Sequence, residues 1–248
     1  MKLLILADIH ANWAALQAVL NAEPHHDAVA FLGDAADYGP KPVECIRWLA
    51  DHATYAVRGN HDNALGFDLD CRCMGSFRSY SVATRAWHRT LLAERDFEYL
   101  RNLPTLQWFQ WDGWHIRLAH ATPQGDLFEY LTKDRLEAHL QGLGDDIVLL
   151  GHTHVQDART FGTVTVLNPG SVGLARDTPG SACYATFDGS KFVMKRIAYD
   201  VRETVEAIDD APLSESVKQG LIARLLPLER RRTSETVTMQ LGQPTTGR

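Results

Sequence analysis

Short apolar runs separated by amphipathic stretches characterise the first part of the chain. The apolar runs predict three buried strands, at residues 2–7, 28–32 and 54–57. Between the first two, Trp13–Leu20 has the apolar spacing of a helix that Asn12 can cap, and the Pro40-x-Pro42 pair favours a second helix extending to about residue 50. The resulting order of strand, helix, strand, helix, strand is typical of a parallel sheet.

The pattern changes beyond residue 61. Residues 62–103 lack strand alternation and are rich in aromatic and arginine residues, which predicts a mostly helical insertion. Apolar segments then return and predict strands at residues 106–111, 114–119, 147–150, 158–161, 164–167, 182–187 and 192–198. Helices are expected at 133–141 and 214–228. We therefore expect one domain over residues 1–235 that contains the insertion, followed by a disordered polar tail, 236–248.

Polar motifs directly follow most of the predicted strands. They are Asp8-Ile9-His10, Gly33-Asp34, Gly59-Asn60-His61-Asp62, His120 and Gly151-His152-Thr153-His154. Because the carboxyl ends of strands in an α/β sheet gather at one edge, where ligands bind, we expect these motifs to converge. Borderline divalent cations take imidazole nitrogen and carboxylate or amide oxygen, and Asp34 is the candidate carboxylate for bridging two of them. The alternative, surface histidines on an ordinary α/β domain, explains the order and placement of the five motifs poorly.

The order of these motifs resembles that of the calcineurin-like metallophosphoesterase superfamily. Further matching segments resemble a small bacterial and archaeal branch of it, namely Asp8-Ile9-His10-Ala11-Asn12, Asp37-Tyr38-Gly39-Pro40, Val57-Arg58-Gly59-Asn60-His61-Asp62 and Asn168-Pro169-Gly170-Ser171-Val172-Gly173. The resemblance covers about residues 1–200. It implies an α/β fold, a four-layer α/β/β/α sandwich of the metallo-dependent phosphatase type.

The resemblance also implies a role for individual residues. One metal ion would be held by Asp8, His10 and His154, and the other by Asn60, His120 and His152, with Asp34 as the bridge. His61 is not a ligand in the family and would assist the leaving group. Asp37 would orient His61; alternatively, Asp37 is a loop carboxylate that caps the helix at Pro40. Asn12 and Arg176 are expected to bind substrate, although Arg176 could instead form a surface ion pair with Asp177.

This reading predicts a dinuclear hydrolase. Two divalent ions about 3.5–4 Å apart would activate a bridging hydroxide for in-line attack on phosphorus. Mn²⁺ is the favoured metal, with Fe, Zn, Ni and Mg as alternatives. We expect a phosphodiester or phosphoanhydride substrate that is small and nucleotide-like. The alternatives are a phosphomonoesterase or protein phosphatase, disfavoured because Tyr38 stands where relatives acting on phosphoproteins carry arginine, and a non-catalytic scaffold.

The insertion is expected to influence the choice of substrate. It starts directly after Asp62, so its first residues should emerge beside the metals. Its aromatic side chains could stack a base and its arginines could meet phosphates, or the aromatics could form the core of a helical lobe. We expect the insertion to select the substrate without taking part in the chemistry.

Composition and charge narrow the class of partner. A net charge of −6 and a pI near 6.0 argue against a polymeric nucleic acid partner. No apolar run approaches the ~18 residues that a membrane span requires, so no membrane contact is expected. The Cys71-x-Cys73 pair is too tight for a usual zinc knuckle, and no second pair complements it, which favours reduced thiols in a cytoplasmic protein. A homo-oligomer is left open.

Overall fold

The computed structural model describes residues 1–226 and 235–244. The strands are β1 (Leu3–Leu6), β2 (Ala28–Phe31), β3 (Tyr55–Ala56), β4 (Leu106–Trp111), β5 (Trp114–Ala119), β6 (Ile147–Leu149), β7 (Gln156–Phe161), β8 (Val164–Pro169), β9 (Ser181–Phe187), β10 (Lys191–Ala198) and β11 (Glu235–Gln240). The helices are α1 (Trp13–Ala22), α2 (Pro42–His52), α3 (Asn60–Phe67), α4 (Ser76–Leu91), α5 (Glu94–Asn102), α6 (Lys133–Leu140), α7 (Val201–Asp209) and α8 (Glu215–Leu225).

The strands form two sheets. The first has the order β11-β10-β9-β1-β2-β3, and β1, β2 and β3 run parallel. The second has the order β4-β5-β6-β8-β7, in which β5, β6 and β8 run parallel. The parallel β-α-β-α-β start predicted from the apolar pattern is confirmed. The parallel strands of both sheets carry the site motifs at their carboxyl ends.

Period-2 alternation along β1 divides the core into layers. Leu3 and Ile5 belong to the cluster between the sheets, which also contains Ile116 of β5 and Leu149 of β6. Leu4 and Leu6 point the other way, into a cluster with residues of α1 and α2. On the far face of the second sheet, α6 packs against β6 and β8. The predicted α/β fold, a four-layer sandwich with helices on both outer faces, is confirmed.

Residues 62–103 are mostly helical, as predicted, with a non-helical segment at 68–75. They contain most of α3 and all of α4 and α5, and α4 packs against α8 near the C-terminus. Helix α7 was not predicted. Its start is marked by Asp200, whose side chain accepts a hydrogen bond from the backbone N–H of Arg202 at 3.1 Å. Among the described residues, no helix combines the length and apolar character needed to cross a membrane.

The tail prediction for residues 236–248 was wrong for its first part. Residues 235–240 form β11, which pairs antiparallel with β10 at the edge of the first sheet. The polar composition concealed an alternation in which Met239, followed by Leu241, packs against the core between the sheets. Residues 245–248 lie outside the described part of the chain.

Candidate metal centre

The motif loops converge because the backbone pairing of the strands continues beyond their ends. The N–H of Asp8 donates to Gly33 O at 2.9 Å, and the N–H of His10 donates to Asp34 O at 3.0 Å. In the second sheet, the N–H of Gly151 donates to His120 O at 2.8 Å. These bonds place the loops after β1, β2, β5 and β6 side by side. The edge predicted from the strand order is therefore where the motif residues meet.

Unusual backbone conformations aim the side chains of this site. Positive φ angles, in the left-handed region that non-glycine residues rarely adopt, occur at Asp8, His10, Asp34, Asp37, His152 and His154. Each such residue costs of order 1–3 kcal/mol and persists where the surrounding structure over-determines it. Gly59 serves close approach instead, because a Cβ there would lie only 2.0 Å from Asp34 Oδ1. Five of the seven residues expected to bind metal therefore adopt this conformation.

The first ligand triad is Asp8, His10 and His154, all buried. The Nδ1 atoms of His10 and His154 each lie 2.8 Å from a backbone carbonyl, so each ring donates its Nδ1–H there. Both Nε2 lone pairs then point into the cluster, where the two Nε2 atoms are 3.1 Å apart. Asp8 Oδ1 is buried beside them without a hydrogen-bond partner. Such converging lone pairs repel one another unless a cation lies among them.

The second triad is Asn60, His120 and His152. Asn60 Nδ2 donates to Cys71 O at 2.8 Å, which leaves Asn60 Oδ1 facing His120 Nε2 at 3.0 Å and His152 Nδ1 at 3.2 Å. His120 donates its Nδ1–H to Leu32 O at 2.8 Å and thus also presents a lone pair. The donors are one amide oxygen and two imidazole nitrogens, a set that suits a borderline divalent cation.

Asp34 lies between the two triads. Its Oδ2 is 3.3 Å from His120 Nε2 and 3.8 Å from His10 Nε2, so one carboxylate oxygen faces a histidine of each group. Burial opposes its charge, yet the neighbouring His120 and His61 outweigh burial and hold the pKa of Asp34 well below its usual range. Asp34 therefore remains an anion in a buried site, as a bridging ligand must.

Burial also sets the protonation of the histidines. Desolvation lowers the pKa of His10 and of His152 to about 3, and lowers that of His154 well below its ordinary value. These rings are thus neutral at physiological pH, the form that binds metals. Burial lowers the pKa of His120, but Asp34 outweighs burial and raises it to about 9, and burial raises the pKa of Asp8 to about 8, so a metal ion bound there would displace a proton from each. The ligand residues named from the sequence come together in the structure with the donor atoms that a metal site requires.

His61 and Asp37 form a hydrogen-bonded pair beside the triads. His61 Nδ1 lies 2.7 Å from Asp37 Oδ2, and the same oxygen accepts a hydrogen bond from Arg85 at 2.5 Å. Burial favours the neutral ring, but Asp34 and Asp37 outweigh burial and raise the pKa of His61 to about 9. The cap of α2 is Lys41, so Asp37 serves His61 and Arg85 and not the helix end.

A cavity of about 220 Å³ opens over this cluster. Its lining includes ligand residues and His61, together with Tyr38, Cys73, Met74, Phe77, Tyr130 and Arg176. The guanidinium of Arg176 lies 5.2 Å from the ring centre of Phe77 and 5.7 Å from that of Tyr130. Asp177 pairs with Arg196 at 2.7 Å, so the alternative of a surface pair between Arg176 and Asp177 is not what the structure contains. Arg176 faces the cavity, as a substrate-binding residue would.

The substrate-binding role predicted for Asn12 was wrong. The Asn12 side chain is buried, and its Nδ2 donates to Gly173 O and to the Tyr199 hydroxyl, both at 2.9 Å. Its Oδ1 accepts from the Ala15 N–H at 3.2 Å and from the Thr204 hydroxyl at 2.9 Å. These four bonds use the full capacity of the amide. Asn12 therefore caps α1 and ties it to the neighbouring segments.

The arginines of the insertion mostly point away from the cavity. Arg78 pairs with Asp70 at 2.6 Å and Arg89 with Asp68 at 3.5 Å, both within the insertion. Arg85 is buried against Asp37, beneath His61. The expectation that the insertion's arginines meet phosphates is therefore not supported for these three. Its contribution to the cavity wall comes from the segment 73–77.

Three residues of the site were missed or undervalued from sequence. Tyr130 lies in the loop before α6, where no periodicity signals it, yet its ring centre is 4.1 Å from that of His152. Tyr38 was considered only as the replacement of an arginine, but its hydroxyl is 3.4 Å from His61 Nε2. Asp62 accepts the N–H groups of Asp34 and Ala35, at 2.7 and 2.8 Å. Its place in the Gly59–Asp62 motif was the available signal.

Comparison with known proteins agrees with this geometry. A sequence model of the calcineurin-like phosphoesterase superfamily domain matches residues 1–191. The chain is 28% identical over 224 residues to the uncharacterized protein MJ0912 of Methanocaldococcus jannaschii, covering 82% of this chain and 90% of that protein. The fold of the present chain is similar to the crystal structure of a metallophosphoesterase from Sphaerobacter thermophilus, with a TM-score of 0.75 and 27% identity. The match covers 91% of this chain and 99% of the Sphaerobacter chain.

Other similar proteins carry an activity in their names. Phosphodiesterase YfcE of Escherichia coli is 26% identical over 71% of this chain and 82% of its own. Serine/threonine-protein phosphatase 1 of Salmonella typhimurium is 24% identical over 68% and 86%. A symmetrical bis(5'-nucleosyl)-tetraphosphatase of Actinobacillus succinogenes is 31% identical over 51% and 47%. These names differ in substrate, so the site itself has to indicate which substrate class this chain favours.

Proposed function

The chain belongs to the calcineurin-like phosphoesterase superfamily and is a metal-dependent phosphoesterase; from this premise we propose that it hydrolyses phosphodiester or phosphoanhydride bonds in small nucleotide-like molecules, using two divalent ions. The observation that carries the dinuclear assignment is the position of Asp34, with one oxygen facing a histidine of each triad. Mn²⁺ is the favoured ion. When bound, such ions supply Lewis acidity and lower the pKa of water to about 7.

The residues of the chain would bind the metal ions, protonate the leaving group and orient the acid that does so. Asp8, Asp34 and Asn60 would supply oxygen ligands to the two ions, and His10, His120, His152 and His154 would supply nitrogen ligands. His61 keeps Nδ1 on Asp37 and directs Nε2 toward the cavity, where it can give a proton to the leaving oxygen. Asp37 fixes the ring orientation and favours its protonated form, and Arg85 in turn holds Asp37. His61 and Asp37 thus form an acid and its orienting partner.

The cavity wall supports a nucleotide-like substrate. Phe77 and Tyr130 both present aromatic rings close to the Arg176 guanidinium, in the wall of the cavity that the candidate metal ligands also line. Aromatic rings can stack on a base, and a guanidinium can pair with the oxygens of phosphate groups other than the one whose phosphorus is attacked. Tyr38 occupies the position of the arginine found in relatives that act on phosphoproteins. A substrate with a base and several phosphates matches this wall better than a phosphorylated protein does.

A hydrolysis panel tests the proposal directly. Enzyme loaded with Mn²⁺ is assayed on a generic aryl diester, an aryl monoester, cyclic nucleotides, dinucleoside polyphosphates and a phosphopeptide. We expect kcat/KM to be highest for a diester or a dinucleoside polyphosphate, and to vanish in chelator-treated enzyme. A higher kcat/KM for the monoester or the phosphopeptide would replace the proposal with the phosphatase alternative. Absence of metal-dependent hydrolysis on every substrate would support a scaffold.

The substrate wall can be separated from the chemistry by mutation. We expect Arg176→Ala to lower kcat/KM for a dinucleoside polyphosphate by about 10–100-fold, since a hydrogen bond to a charged group is worth roughly 1.5–3 kcal/mol. Hydrolysis of the small aryl diester should change little, because it reaches the metals without touching Arg176. Steady-state kinetics on both substrates measure the difference.

Arg89→Ala is the matched control for this experiment. Arg89 lies in the insertion, pairs with Asp68 and does not line the cavity, so its loss should leave both substrates nearly unaffected. A proportional loss for the two substrates in Arg176→Ala would show that Arg176 belongs to the catalytic apparatus. No loss for either substrate would remove Arg176 from the site.

A further inference from the structure

Two thiols lie beside the ring of His61, outside the two ligand triads. Cys73 Sγ is 3.2 Å from His61 Nε2. The sulfurs of Cys71 and Cys73 and a ring nitrogen of His61 all lie within 4.8 Å of one another. From sequence, the Cys71-x-Cys73 pair argued against a metal because no further ligand pair complements it. The fold supplies the missing ligand from α3, where His61 occupies the first turn.

Two thiolates and an imidazole are the donors that zinc and other thiophilic divalent ions prefer. We propose that Cys71, Cys73 and His61 form a third cation site, specific for a thiophilic ion such as Zn²⁺, and that an ion bound there inhibits the enzyme. The two triads contain no sulfur donor, so they favour ions that bind oxygen and nitrogen ligands. The same cavity therefore contains sites that prefer two different classes of metal ion.

The spacing suits tetrahedral coordination. With Zn–N of about 2.0 Å and Zn–S of about 2.3 Å, neighbouring nitrogen and sulfur ligands lie about 3.5 Å apart and two sulfurs about 3.8 Å apart. The observed 3.2 Å between Cys73 Sγ and His61 Nε2 is about 0.3 Å shorter than this nitrogen–sulfur separation, and Cys71 Sγ lies within 4.8 Å of Cys73 Sγ and of a ring nitrogen of His61. The Tyr38 hydroxyl, 3.4 Å from His61 Nε2 and 3.6 Å from Cys73 Sγ, borders the same space. A water molecule or this hydroxyl would complete four ligands.

Access and charge also favour binding. Cys73 is partly exposed and lines the cavity, so an ion entering from solvent meets its sulfur first. Cys71 is 1% exposed and lies behind it, with Sγ 3.2 Å from the Ser81 hydroxyl. The nearby positive charge of Arg85 is balanced by its ion pair with Asp37. The site is thus open on one side and enclosed on the other.

Inhibition follows from the sharing of one atom, and this step rests on the proposed function. His61 Nε2 is the nitrogen that would protonate the leaving oxygen, because Nδ1 is bound to Asp37. A cation that takes the Nε2 lone pair leaves no proton there to give. Zn²⁺ at the thiol site and acid catalysis by His61 therefore exclude each other, while the two triads remain free to hold their ions.

Cadmium absorbance tests the site independently of activity. Enzyme loaded with Mn²⁺ and kept reduced by a phosphine is titrated with Cd²⁺, and the ultraviolet charge-transfer band of cadmium thiolate is recorded. Cadmium that enters the triads gives no such band, because they contain no sulfur. We expect the band to saturate at one equivalent in the wild type and in Cys183→Ser, a control that removes a distant buried thiol. Mutating a residue that only supports a metal ligand already lowers metal affinity by ~10–100-fold. In Cys73→Ser and Cys71→Ser, where a ligand itself is lost, half-saturation should therefore require at least that much more Cd²⁺.

Hydrolysis of a diester with an alkyl leaving group, whose departure needs the proton of His61, forms the second arm, with Zn²⁺ added and each variant compared with its own rate without zinc. We expect stoichiometric inhibition of the wild type and of Cys183→Ser, and resistance in Cys73→Ser. Absence of the band, or an equal band in Cys73→Ser, would overturn the third site whether or not the protein hydrolyses any substrate. A saturating band with an unchanged diester rate would overturn the inhibitory role alone.

Discussion

Asp34→Asn is expected to abolish hydrolysis and to remove most of the bound metal. Asp34 Oδ2 faces His120 Nε2 at 3.3 Å and His10 Nε2 at 3.8 Å, so this carboxylate is placed to serve both triads. Asparagine keeps the shape but loses the negative charge, and its amide nitrogen cannot act as a ligand. Two divalent cations held close together then lack the anion that offsets their mutual repulsion.

The losses of metal and of activity in Asp34→Asn should be larger than those caused by changing a residue that only supports a ligand. Substitutions of that kind cost about 10–100-fold in metal affinity or activity, and removal of the bridging carboxylate should exceed this range for both quantities. Elemental analysis of the purified protein gives metal per chain, and kcat/KM on the aryl diester gives activity. We expect about two ions per chain in the wild type and a clear loss in the variant.

Asp51→Asn is the control, because it makes the same change of aspartate to asparagine away from the site. Asp51 is exposed on α2, and its neutralisation changes the net charge by the same amount without touching the site. It should retain metal and activity. If Asp34→Asn, folded by circular dichroism, turned over substrate at a near-normal rate with two ions bound, Asp34 would not be the bridge and the assignment of the triads would have to be redrawn.

The sequence was sufficient to predict that the candidate metal ligands meet, because their placement depends on local rules. Asp8 and Asp34 each follow an apolar strand, and parallel neighbours bring the ends of β1 and β2 together whatever the rest of the chain does. Their convergence therefore needs only the strand order, which the alternation of apolar runs and helical stretches predicts. The two sheets of the sandwich came from the resemblance, since periodicity alone does not say which strands pair.

Contacts made by loops could not be predicted in this way. Tyr130 reaches His152, and Cys73 reaches His61, through loop paths that no periodic pattern specifies. Asn12 shows the opposite error: its place in a motif suggested substrate, whereas its four hydrogen bonds join α1 to segments far along the chain. Saturation of hydrogen bonds is a property of the assembled fold, so a motif cannot distinguish a cap from a substrate ligand.

His61→Ala is expected to keep both metal ions while the rate falls by roughly 10²–10⁴, the usual size of a general acid–base contribution. Metal retention follows from the geometry. The bond from His61 to Asp34 Oδ1 is made by the backbone N–H at 2.9 Å, which alanine preserves, and the imidazole is not one of the ligands assigned to the two ions. Asp37 keeps its ion pair with Arg85, so the buried carboxylate is not left without a partner.

The dependence on the leaving group identifies what His61 does. A nitrophenolate leaves as a stable anion and needs no proton, whereas a ribose hydroxyl or another alkoxide does. The loss in kcat should therefore be small for an aryl diester with a nitrophenyl group and large for a diester with an alkyl leaving group. A Brønsted plot across leaving groups should become steeper in His61→Ala than in the wild type. Equal losses for good and poor leaving groups, with both metals still bound, would instead show that His61 positions the phosphoryl group and donates no proton.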